Sequence, residues 1–131
     1  MLLDTTFIID LLRGDNPAAL RRAEELDNRF ESKGVASITI MELWRGALQS
    51  NQPDREKRKI AELISSLLAY PFQEMEAKKA AEIEVDLIKR GEMIDLEDIM
   101  IAGVAQVHNE SVLTRNIKHF SKIRNLSLEL Y

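Results

Sequence analysis

Three carboxylates and one carboxamide sit in a recurring local setting along this 131-residue chain. Asp4 follows the apolar run Met1-Leu2-Leu3. Glu42 comes soon after Val35-Ala36-Ser37. Asp98 stands before Ile99-Met100-Ile101-Ala102, and Asn116 follows Val112-Leu113 by way of Thr114 and Arg115. Taken singly, each is an ordinary helix cap. Asp and Asn are favoured N-caps, and Thr39-Ile40-Met41-Glu42 fits a capping box in which Glu42 reaches back to Thr39. Taken together, they are acids placed after short apolar segments and at helix starts, so a parallel sheet would gather them at one edge. Crowded carboxylates repel and raise one another's pKa unless a cation is present. An all-oxygen set suits a hard cation, Mg²⁺ or Mn²⁺. With helix N-termini nearby to attract phosphate, the chemistry such a set supports is phosphodiester hydrolysis, in which the metal activates water and neutralises charge.

On that reading Asp4 and Asp98 bind metal directly, and Glu42 either ligates or orients the attacking water. Asn116, being neutral, would hold a metal-bound water. Thr6 and Thr114 would donate hydroxyl hydrogen bonds to a carboxylate or a water. Arg115 and Lys118, with Arg13, Arg45 and His119, would form a basic rim for a phosphate backbone, which supplies affinity without sequence preference. Asp95 is read as the N-cap of the helix that carries Asp98, or as an outer member of the metal shell. Asp10, inside the Ile8–Leu12 run, reads as a solvated helix position. His108 ends an apolar helix and suits its dipole. Trp44 reads as a core or dimer contact.

The elements that must position these residues follow from periodicity. Helical spacing of apolar residues predicts helices over 5–13, 18–31, 39–49, 54–68, 76–90 and 97–108, with a short helix or turn over 116–123. Short apolar segments predict strands over 1–3, 35–37, 70–72, 111–113 and 126–130. Gly14, Pro17, Gly34 and Gly91 punctuate the pattern. Strands alternating with helices predict one α/β domain over residues 1–131, a short parallel sheet covered on both faces, with ligands beyond the carboxyl ends of the strands.

Composition narrows the classes further. The absence of cysteine excludes disulfides, thiolate nucleophiles and iron–sulfur clusters, and fits a cytoplasmic protein. No apolar run approaches a membrane span, and the first residues lack the basic start and cleavage site of a signal peptide. A net charge of −4 argues against a generally nucleic-acid-binding surface. A metal held by the gathered acids would reverse the sign locally.

Four stretches together resemble the motifs of PIN-domain proteins, in the family's order and across nearly the whole chain. They are Leu3-Asp4-Thr5-Thr6, Ser37-Ile38-Thr39-Ile40-Met41-Glu42-Leu43, Leu96-Glu97-Asp98-Ile99-Met100-Ile101-Ala102 and Leu113-Thr114-Arg115-Asn116-Ile117-Lys118-His119-Phe120. They look most like the VapC-type toxins of toxin–antitoxin pairs. The resemblance implies a PIN-like three-layer α/β/α sandwich, a metal-dependent endoribonuclease acting on RNA, a homodimer, and a protein antitoxin that blocks the active site. It maps the family's three main acids onto Asp4, Glu42 and Asp98. Where the family often has a fourth acid this chain has Asn116, one charge fewer for a second metal.

Rival classes fit less well. An aspartyl-phosphate hydrolase would want a general acid two residues after its first Asp, where Thr6 stands. A phospho-acceptor module would want an Asp after its middle strand, where Gln73, Glu74 and Met75 stand. A housekeeping RNA-processing nuclease, or a non-catalytic binding module on the same fold, are the remaining alternatives.

Overall fold

The computed structural model describes residues 1–131. Five short strands form one sheet: β1 (Leu2–Leu3), β2 (Gly34–Ala36), β3 (Leu68–Tyr70), β4 (Val112–Leu113) and β5 (Leu128–Glu129). Their order is β3-β2-β1-β4-β5 and every pairing is parallel. Seven helices connect them: α1 (Thr5–Arg13), α2 (Pro17–Asn28), α3 (Ser37–Leu48), α4 (Pro53–Ser65), α5 (Glu74–Arg90), α6 (Leu96–Val107) and α7 (Ile117–Phe120).

Alternation along the strands sorts the helices into two layers. Leu2, Ala36 and Val112 pack on one face, in a core with Ile83 and Leu87 of α5, Ile99 and Ile101 of α6, and Phe120 of α7. Leu3, Val35 and Leu113 point to the other face, into a core with Phe7 and Ile8 of α1, Leu26 of α2, Leu43 of α3 and Ile60 of α4. Both faces of a sheet with period-two side chains are thus buried, giving the predicted α/β/α sandwich. No helix is long and apolar enough to cross a membrane.

Several boundaries differ from the sequence reading, each for a local reason. Helix α2 begins at Pro17, with the Asn16 side chain accepting from the Ala18 and Ala19 amides, and ends at Asn28. Helix α3 begins two residues early because Ala36, the last residue of β2, is itself the extended N-cap. Thr39 is therefore inside the helix, and the expected Thr39–Glu42 capping box does not form. A capping box does form between Gln73 and Glu76, so α5 starts at Glu74, two residues before the predicted position. Helix α4 stops at Ser65, and Leu68–Tyr70 pairs with Gly34–Ala36. A Cβ on Gly34 would lie 2.5 Å from Tyr70 Cε2, so glycine is what allows Tyr70 to cross there.

The sheet order places β1 centrally, with β2 on one side and β4 on the other. The order of the strands reverses at β1 and β4, since β2 and β3 are added on one side of β1 and β4 and β5 on the other, the kind of switch point where α/β sheets open a crevice. Backbone pairing continues just past both strands: the Asp4 amide donates to the Leu113 carbonyl at 3.0 Å, and the Thr114 amide to Glu129 at 3.0 Å.

Candidate functional site

Asp4 is the N-cap residue of α1 and is buried, 1% exposed. Its Oδ2 accepts two hydroxyl hydrogen bonds, from Thr6 Oγ1 and from the buried Thr114 Oγ1, both at 2.7 Å. The carboxylate is therefore fixed by its own helix and by the end of β4. Thr114 also accepts from the Asn116 amide at 2.9 Å, which folds the β4–α7 turn toward the same point.

Asp98 lies in the first turn of α6, where the helix dipole favours negative charge. Its Oδ2 accepts from Asn116 Nδ2 at 3.1 Å and contacts His119 Nδ1 at 2.5 Å. A separation that short requires a hydrogen between the two atoms, carried by Nδ1 or by the carboxyl according to the protonation of the pair. Glu42, in the second turn of α3, is half-buried. Its Oε1 accepts from Thr5 Oγ1 at 2.8 Å, and Thr5 Oγ1 lies 3.0 Å from Thr39 Oγ1.

The three acids feel one another. Burial pushes the Glu42 carboxyl up; the Thr5 hydrogen bond opposes this, and the charges of Asp4, Glu97 and Asp98 reinforce it. Asp98 is also raised, first by burial and further by Asp4 and Asp95, against the His119 hydrogen bond. Each acid has one oxygen held by the protein's own donors. No hydrogen bond reaches the other oxygen: Asp4 Oδ1, Glu42 Oε2 or Asp98 Oδ1. Three fixed carboxylates, each with a spare oxygen and too little positive charge nearby, are a donor set that fits a hard divalent cation.

Possible ligand atoms of Asp95, Asp98 and His119 lie within 4.8 Å of one another, a group that includes neither Asp4 nor Glu42. Within it, His119 Nδ1 is 3.9 Å from Asp95 and is already committed to Asp98. His119, with Nδ1 turned onto Asp98, also supports that carboxylate.

Hydrogen bonds link Asp4, Thr6, Thr114, Asn116 and Asp98 into one network, and Thr5, next to Asp4 in the chain, bonds Glu42. Lys118 is exposed on α7, and Arg13 and Arg45 are exposed on α1 and α3. Arg13 and Glu42 share a groove floored by Ile9, Leu12, Leu43 and Ala47. Arg115 is half-exposed but not free, because its guanidinium pairs with Asp10 at 3.1 Å. Two readings are corrected here. Asp10 is not solvated: it is 3% exposed and accepts from Asn16 Nδ2 and the Tyr131 hydroxyl as well. Trp44 is not in the core: it is exposed on α3, with the Lys57 ammonium 5.8 Å from its ring. His108 caps α6 as expected and also meets Glu76 at 3.0 Å. Sequence reasoning missed the supporting roles of Thr5 and Thr39. Their only signal was that each stands beside or one turn before an acid.

The family model of the PIN domain matches residues 1–126. Ribonuclease VapC2 of Haemophilus influenzae is 30% identical over 132 residues, covering 98% of this chain and 95% of that protein. The tRNA(fMet)-specific endonuclease VapC of Shigella flexneri is 27% identical over 128 residues, covering 98% and 95%. In the crystal structure of VapBC2 from Rickettsia felis bound to a DNA fragment from their promoter, one chain superposes with a TM-score of 0.91. It is 25% identical, and the match covers 99% of this chain and 97% of that one.

Proposed function

This chain belongs to the PIN-domain family, among the VapC-type toxins, and from that premise we propose that it is an Mg²⁺- or Mn²⁺-dependent endoribonuclease, the toxin of a type II toxin–antitoxin pair. What supports the proposal is the hydrogen-bond network that joins Asp4 to Asp98 through Thr114 and Asn116, with Glu42 bonded to Thr5 beside it, each acid having one oxygen restrained and one spare.

Asp4, Asp98 and Glu42 would hold the cation. When bound, the cation supplies Lewis-acid stabilisation of phosphodiester charge and makes water a better nucleophile at neutral pH. The chain's own residues do the rest. Thr6 and Thr114 keep Asp4 in one orientation, so its spare oxygen needs no reorganisation. Asn116 and His119 do the same for Asp98. Glu42, its Oε1 fixed by Thr5, would ligate the cation or orient the attacking water and accept its proton. Arg115 and Lys118 hold the RNA backbone through its phosphates. The chain is cytoplasmic on this reading and acts as a homodimer. Exposed Val85, Ile88 and Met93, from α5 and the segment after it, provide apolar surface for a second copy. The antitoxin is a protein partner, as the VapBC2 assembly suggests, and the groove beside Glu42 is where a bound segment would obstruct the site.

Cleavage of a single-stranded RNA by the wild type and by Asp4→Asn, purified side by side, tests the proposal. Cleavage should need Mg²⁺ or Mn²⁺, stop with a chelator, and fall by about a hundredfold or more in Asp4→Asn. Equal cleavage by both proteins, or none by the wild type in either metal, would overturn it.

A further inference from the structure

The turn after β4 is pinned at three successive residues to three different aspartates. Thr114 donates to Asp4, Arg115 pairs with Asp10, and Asn116 donates to Asp98. Two of those acids belong to the gathered site. The third, Asp10, lies on α1 and has no place in the chemistry proposed above. It is nevertheless met by three donors from three separate residues. A single oxygen, Oδ2, meets Asn16 Nδ2 at 3.1 Å, the Tyr131 hydroxyl at 2.8 Å and the Arg115 guanidinium at 3.1 Å.

Its surroundings are built to keep it there. Tyr131 packs edge-on against Phe7 in the core, with ring centroids 4.8 Å apart. Burial and the Asp10 hydrogen bond push the Tyr131 phenol up, so it stays a donor at any physiological pH. Asn16 is held in turn by capping α2. The Asp10 side chain is 4% exposed, whereas that of Arg115 is 50% exposed. One guanidinium nitrogen is therefore held against a rigid buried anion, while half of the side chain is exposed. A planar guanidinium held at one nitrogen keeps further donors for a phosphate, which a lysine ammonium offers only as a point charge.

We propose that Asp10 is a positioning residue that aims Arg115 at the RNA phosphate backbone, with Asn16 and Tyr131 fixing Asp10. The inference rests on Arg115 being a substrate contact, and it deepens that reading by naming what orients the contact. Such a device acts on substrate capture and leaves the acids around the metal untouched.

The test is a double-mutant cycle on metal-dependent cleavage of a short single-stranded RNA, with kcat and KM separated. Arg115→Ala should raise KM by about tenfold, the scale of one lost charged hydrogen bond, with kcat within a few-fold of wild type. Asp10→Asn should raise KM by a comparable factor, and the double variant should be no worse than Arg115→Ala alone. Because Asp10 is buried, Arg115→Lys carries the same test without touching it. Lysine keeps the charge but loses the fork, so KM should rise nearly as far as in Arg115→Ala. If Arg115→Ala raises KM while Asp10→Asn does not, or the two effects multiply, or Arg115→Lys matches the wild type, Asp10 does not work through Arg115 and the nuclease reading still stands. An unchanged KM in Arg115→Ala would overturn both the contact and its positioning. Absence of cleavage by the wild type would overturn the nuclease reading itself and this inference with it.

Discussion

Glu42 and Asp98 have carboxyl groups raised by burial and by acidic neighbours, and a raised acid carries a definite sign for stability. A folded-state pKa above the unfolded value means that the folded state holds the proton more tightly. The stabilisation is complete below the unfolded pKa and disappears as pH rises through the folded one. The metal-free protein should therefore lose stability as pH climbs from the ordinary carboxylate range through the raised values of these two groups. Glu42→Gln keeps an acceptor for Thr5 and removes the charge. It should raise the metal-free melting temperature by a few degrees at neutral pH and flatten its decline with pH, as read by thermal melts across that range. Saturating Mn²⁺ should reverse the ranking, since the wild type alone keeps the full ligand set. Thr114→Val gives the opposite result in the metal-free protein. It removes a buried donor to Asp4 and should cost about 1–3 kcal/mol in urea unfolding. Asp4 and Asp98 were legible in the sequence because each stands at a strand-to-helix junction or a helix start, whereas Glu42 was read at a helix start and lies in the second turn of α3. Asp10 was not legible. A lone Asp among Ile8, Ile9, Leu11 and Leu12 looks solvated, and one of its partners, Tyr131, lies 121 positions away. Nothing local announces a contact of that range.

Helices decide where those side chains point, and α6 depends on how closely it approaches α5. A Cβ on Gly103 would sit 3.1 Å from Ala80 Cβ, from the Ala80 amide nitrogen and from the Glu76 carbonyl oxygen. Two of these are backbone atoms that cannot rotate away. Gly103→Ala should therefore destabilise by about 1–3 kcal/mol through overpacking, despite alanine's better helix propensity. Gly46 in α3 is the control, since a Cβ there meets nothing within 4 Å. Gly46→Ala should stabilise by about 0.5–1 kcal/mol. Denaturant unfolding of both variants checks the pair, and equal signs would contradict the packing argument. Helix periodicity located all the major helices. It placed the start of α3 too late, because Thr39 and Glu42 look like a capping box when the partner of Glu42 is in fact Thr5 on another helix. It ran α4 too far, because Leu67 and Leu68 continue an apolar stripe that the chain uses to enter β3.

At the scale of the whole molecule, the alternation of short strands with helices was enough to give the three-layer architecture. Two-residue strands such as β1 and β4 become recognisable by being wholly apolar and buried on both faces. What the sequence could not fix was the strand order, and it is the central position of β1 beside β4 that brings Asp4 to Thr114 and Asn116. The net charge of −4 then has a local meaning. Part of it is concentrated where a cation would neutralise it. The exposed Val85, Ile88 and Met93 should be covered in a dimer. Light scattering at micromolar concentration should give twice the 15.0 kDa chain mass, and a single-chain mass would count against that assembly. The central claim is most directly tested by anomalous diffraction from a crystal soaked in Mn²⁺. The account predicts a manganese peak touching Asp4, Glu42 and Asp98. A peak held instead by Asp95 and His119 away from Asp4, or no peak among these acids, would contradict it.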